Sequence, residues 1–82
     1  MVEVEFTDEF RSIFSNIKDG LLKVKIKKQL LKIKENPEVG KSMKNDRKGT
    51  RELYIKPFRL SYIYFLEKKL IYILDLYHKK KQ

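Results

Sequence analysis

The last third of this chain leaves little room for anything but a sheet. Arg51 to Lys56, Phe58 to Phe65 and Leu70 to Tyr77 follow one another as strand-like segments rich in Tyr, Phe, Ile and Leu. The gaps between them, at Pro57 and around Glu67-Lys68, are only long enough for tight turns. The expectation is an antiparallel three-strand meander. Charged residues lie inside it, and a charge among apolar strand neighbours is costly unless something pairs with it. An anionic ligand is one such partner.

Upstream, Val2 to Phe6 alternates apolar and acidic residues and suits a short strand. Thr7 can cap a helix whose first turn holds Asp8 and Glu9. Phe10, Ile13, Phe14 and Ile17 then recur on one helical face, with Gly20 as the expected stop. A second helix is expected from Leu21 to about Glu35, ended by Pro37. Its main stripe is Leu22, Ile26, Leu30 and Ile33. A second stripe, Leu21, Val24 and Leu31, suggests contact on two sides. A strand over Leu22 to Lys27, which alternates with lysine, is the competing reading. Glu38 to Thr50 reads as a loop. The whole, residues 1–82, is expected to be one α+β domain: an N-terminal strand, a two-helix hairpin, then the meander.

Charge narrows the function. Lys and Arg number 20 against 11 Asp and Glu, a formal net charge of +9. Such a field attracts polyanions, nucleic acid first among them, although a lysine-rich surface also serves solubility. There is no cysteine and a single histidine, His78, so neither a disulfide nor a Cys- or His-rich metal centre is expected. No apolar run approaches the roughly 18 residues of a membrane span, and the amino terminus lacks a signal-peptide pattern. The expectation is a soluble cytoplasmic protein with no membrane role and no cofactor.

Closing the first hairpin at Lys56-Pro57 sets Ile55 opposite Phe58 and Tyr54 opposite Arg59. Closing the second around Glu67-Lys68 sets Arg59 opposite about Leu76, and His78 then leaves the sheet on the side of Arg59. A one-residue slip would reverse these faces. The cluster suits phosphodiester chemistry. Arg59 can grip a phosphate with its fork, Lys56 and Lys79 can neutralise growing charge, and His78 can move a proton. Tyr54 can stack a base, and Arg51, Lys48, Arg47, Lys80 and Lys81 can hold a nucleic-acid backbone. The same pattern also suits an ordinary ion pair between Arg59 and Asp75 or Glu52, with the tyrosines as plain strand residues.

The segment Glu52-Leu53-Tyr54-Ile55-Lys56-Pro57-Phe58-Arg59-Leu60-Ser61-Tyr62 resembles the "ELR…YRxxY" stretch of the RelE/ParE toxin superfamily. Leu70 to Lys79 resembles that family's closing strand, an apolar run ending in a basic pair. The resemblance implies a RelE-like, microbial-RNase-type fold. It also implies the toxin of a type II toxin–antitoxin pair, a ribosome-dependent endoribonuclease that cuts mRNA in the A site through the ribose 2′-hydroxyl without metal. The implied partners are the ribosome, mRNA and a cognate RelB-like antitoxin in a hetero-oligomer. By position, Arg59 matches the arginine at the scissile phosphate, Lys56 the second strand lysine, and Lys79 a transition-state arginine. Three departures stand out: Tyr54 replaces a basic residue, Lys79 replaces arginine, and the carboxy-terminal tyrosine has no counterpart. These departures motivate two alternatives, a ParE-like gyrase inhibitor and a ribosome- or RNA-binding domain without catalysis.

Overall fold

A computed structural model describes residues 2–43 and 49–78. Among them are two helices and five strands: β1 (Glu3–Phe6), α1 (Asp8–Ser15), α2 (Gly20–Glu35), β2 (Lys41–Ser42), β3 (Arg51–Ile55), β4 (Phe58–Phe65) and β5 (Leu70–His78). The α+β order expected from the sequence is the order observed. No helix among the described residues is long and apolar enough to cross a membrane.

Thr7 begins α1 as its pattern requires. Its hydroxyl oxygen accepts from Phe10 N at 3.0 Å, and the hydroxyl donates to the Leu74 carbonyl at 2.7 Å, so the same cap fastens the helix to β5. Asp8 and Glu9 occupy the first turn. The expected boundary at Gly20 is corrected: α1 ends at Ser15, and Gly20 is the first residue of α2. Asp19 supplies the reason. Its carboxylate accepts from Leu21 N at 3.0 Å and Leu22 N at 3.3 Å, so a strong N-cap overrides glycine's helix-ending tendency.

The main stripe of α2 packs as expected. Ile26 and Ile33 are fully buried, with Leu22 and Leu30 beside the core. The second stripe does not pack: Leu21, Val24 and Leu31 are 67%, 47% and 62% exposed. Among the described residues the helix meets the domain along one side, and Leu21, Leu31 and the lysine-flanked Val24 face outward.

The sheet order is β1-β5-β4-β3-β2, with β1 parallel to β5 and the other pairs antiparallel. The short strand β2 falls inside the stretch expected to be loop, where it pairs Lys41 with Glu52 and Ser42 with Arg51. Ile55, Leu60, Tyr62, Ile71, Ile73 and Leu76 form the sheet's share of the core, against Phe10, Ile26 and Ile33 of the helices.

Fixing the strand α2 leads into takes a polar clamp. The buried Tyr62 hydroxyl donates to the Pro37 carbonyl at 2.8 Å and accepts from Gly40 N at 2.9 Å. A Cβ on Gly40 would lie 2.7 Å from that hydroxyl, so only glycine fits. Arg51 adds Nη1 bonds to the Glu38 and Gly40 carbonyls, at 3.1 and 2.8 Å. Burial pushes the Tyr62 phenol above its ordinary range, although the Gly40 N–H and the Arg51 charge act the other way.

One irregularity decides which side chains share the open face. Ser61 lies opposite Asp75, but the next residue, Tyr62, lies opposite Ile73, which leaves Leu74 as an extra residue in β5. Strict alternation from Ile71 and Ile73 would drive Asp75 into the core. The bulge puts Leu76 there instead.

Candidate functional site

Three strands carry one row of side chains across the helix-free face: Tyr54 on β3, Arg59 on β4 and Tyr77 on β5. The next row is Glu52, Ser61 and Asp75. Directly opposed residues share a face, and the helices pack on the other one through Leu60, Tyr62 and Ile73. Tyr54 opposite Arg59, and Ile55 opposite Phe58, agree with the expected first hairpin.

The second hairpin needs correction. The bulge shifts its far end by one residue, so Arg59 lies opposite Tyr77 rather than Leu76. His78 lies opposite Phe58 and meets that ring edge-on, with centroids 5.5 Å apart. It is therefore on the face away from Arg59 and does not join the cluster. Arg51 is also on the helix side, opposite Tyr62, and its Nη1 is engaged by the Glu38 and Gly40 carbonyls. Lys56 is exposed in the turn between β3 and β4. Lys79, Lys80, Lys81, Lys48 and Arg47 lie outside the described residues.

Arg59 is at the centre of what remains. Its side chain is 29% exposed, and Nη1 stands 3.4 Å from Oε1 of Glu52, whose own side chain is only 3% exposed. The other carboxylate oxygen accepts a hydrogen bond from the Tyr77 hydroxyl. Among the described residues, Arg59 Nε is buried and has no hydrogen-bond partner. Beside the guanidinium opens a hollow of about 380 Å³, lined by Lys41, Met43, Glu52, Leu53, Tyr54 and Arg59. Two cations, a half-exposed aromatic ring and an engaged carboxylate thus share one concave patch. That set can hold a phosphate and stack a base, while the carboxylate opposes some of the positive charge.

Sequence reasoning left Lys41, Tyr77 and Glu52 out of the site. Tyr77 was hidden by the bulge, since unbroken alternation turns it away from Arg59. Glu52 figured only as an ion-pair acceptor. Its signal was a carboxylate in mid-strand between Arg51 and Leu53, where burial demands a partner.

The matched family model, described as the ParE toxin of the type II toxin–antitoxin system parDE, spans residues 2–82, and the chain belongs to this RelE/ParE toxin superfamily. Solved structures agree in fold. The M. tuberculosis RelBE2 toxin–antitoxin complex contains a chain 24% identical, with 96% of this chain and 94% of that chain covered and a TM-score of 0.80. The intact E. coli RelBE complex gives 14% identity, coverage of 95% and 96%, and a TM-score of 0.81. A chromosomal ParDE system from P. aeruginosa gives 18% identity, coverage of 95% and 96%, and a TM-score of 0.73. A search of curated protein sequences finds no match.

Proposed function

We propose that this toxin acts on messenger RNA at the ribosome, as a metal-independent endoribonuclease working in the cytoplasm. The observation that carries the reading is Arg59, central on the open face, with Tyr54 beside it and Lys41 across the same hollow. In that chemistry the ribose 2′-oxygen attacks phosphorus as the bond to the 5′-oxygen breaks. The 2′-hydroxyl loses its proton and the leaving oxygen gains one. Negative charge builds on the non-bridging oxygens, where a fixed guanidinium helps most. Lys41 adds a diffuse positive charge, and Tyr54 offers a ring for a base. Lys56 and Lys79 remain candidates for further charge neutralisation. The structural relatives described as toxin–antitoxin complexes support a RelB-like antitoxin as partner.

The test is cleavage of message on programmed ribosomes, with wild type and Arg59→Ala side by side. The expected loss is about 10²–10³-fold, typical of removing one donor to developing charge. Equal cleavage by both forms, or none by wild type, defeats the reading. A ParE-like gyrase inhibitor is the second reading, and Glu52 favours it, because a carboxylate against Arg59 weakens its pull on phosphate. A supercoiling assay separates the two, since a gyrase inhibitor leaves messages whole.

A further inference from the structure

Arginine–carboxylate pairs frequently meet as a fork, with two short parallel bonds. The pair between Arg59 and Glu52 is not of that kind. A single contact of 3.4 Å joins Nη1 to Oε1, longer than the usual charge-assisted distance, while Nε is buried without a hydrogen bond. The carboxylate itself is firmly placed, because the Tyr77 hydroxyl reaches its other oxygen from β5. One partner is anchored and the other only leans on it. The leaning partner borders the hollow shared with Lys41 and Tyr54.

We propose that Glu52 is a positioning residue. It holds the Arg59 guanidinium on the open face by one weak contact and yields it to an RNA phosphate, while Tyr77 keeps the carboxylate from following. This rests on reading Arg59 as a phosphate contact. Glu52 and phosphate are then rival anions for one cation. Free of its rival, Arg59 binds phosphate more tightly but is no longer aimed. With Tyr77 unable to hold the carboxylate, Glu52 closes on Arg59 and phosphate binds less well. The two changes therefore act in opposite directions on affinity, although both loosen the same cluster.

The experiment measures the dissociation constant of a short single-stranded RNA, made uncleavable by a 2′-deoxy residue. Wild type, Glu52→Gln, Tyr77→Phe and Arg59→Ala are compared as full chains at one low salt concentration, with a melting curve for each. Glu52→Gln is expected to bind roughly three- to tenfold more tightly and Tyr77→Phe about two- to fivefold more weakly, the range open to a half-buried ion pair. On programmed ribosomes, Glu52→Gln should lower both KM and kcat. A shift of both variants in the same direction, tracking melting temperature, shows a merely structural cluster and overturns the proposal. So does an unchanged constant in both. Tyr77→Phe keeps every charge and carries the test alone should Glu52→Gln not fold. If Arg59→Ala binds RNA as well as wild type, the phosphate role and the inference fall together. Opposite shifts without ribosomal cleavage retain the inference and reject only the nuclease reading.

Discussion

The two faces of this sheet are built from the same strands and obey different rules. The helix-packed face is apolar and closed: Leu60, Ile71 and Ile73 are fully buried against Ile26 and Ile33. The open face sets a buried carboxylate, a part-exposed guanidinium and two tyrosines side by side. One face spends its side chains on burial, the dominant favourable term in folding. The other tolerates an unpaired buried N–H, which costs about 1–3 kcal/mol. The burial that stabilises the fold and the proposed site thereby lie on opposite sides of one sheet.

That separation can be broken or sharpened by substitution. The largest effect should come from Ile26→Ala, which empties a fully buried position and should cost about 2–5 kcal/mol in chemical denaturation. The RNA cleavage proposed for the open face should be retained per folded molecule. A variant that unfolds no more easily than wild type would show that α2 is dispensable to the core. Tyr62→Phe comes next. It strips the Pro37 carbonyl and Gly40 N–H of their partner, at roughly 1–3 kcal/mol.

Tyr62 also gives a pH signature. Its folded pKa is raised above the unfolded value of 10.0, so its contribution is complete below pH 10 and is lost as pH rises through the folded value. Wild type should therefore lose stability at alkaline pH more steeply than Tyr62→Phe, and parallel curves would refute the assignment. The smallest effect belongs to Leu31→Lys, on the exposed stripe of α2. Its stability should stay within about 0.5 kcal/mol of wild type.

Much of the closed face could be read in advance, because burial leaves a period. Ile26 and Ile33, spaced on one helical stripe, and the Thr7 cap with Asp8 and Glu9 each followed from local chemistry. Gly20 misled because Asp19 was not weighed as a cap. The stripe of Leu21, Val24 and Leu31 misled because hydrophobicity alone does not name a partner. The open face was legible only as far as the first hairpin, where the tight turn at Lys56-Pro57 fixed Tyr54 against Arg59. Beyond it, a single extra residue reversed the alternation. Asp75 carried the warning, since an aspartate in phase with Ile71 and Ile73 has no place in a core.

The bulge at Leu74 also makes the two faces hostages of each other. Pairing the two strands evenly through Leu74, with no residue left over, would set Leu76 opposite Arg59, bring His78 onto the same face and turn Tyr77 away. The same shift of phase would swing Leu76 out of the core and disturb the Leu74 carbonyl that anchors Thr7. Exchanging a tyrosine for a histidine beside the guanidinium by a change of phase is thus closed to this lineage unless the interior is rebuilt with it. Point replacement is the route left open for altering the chemistry.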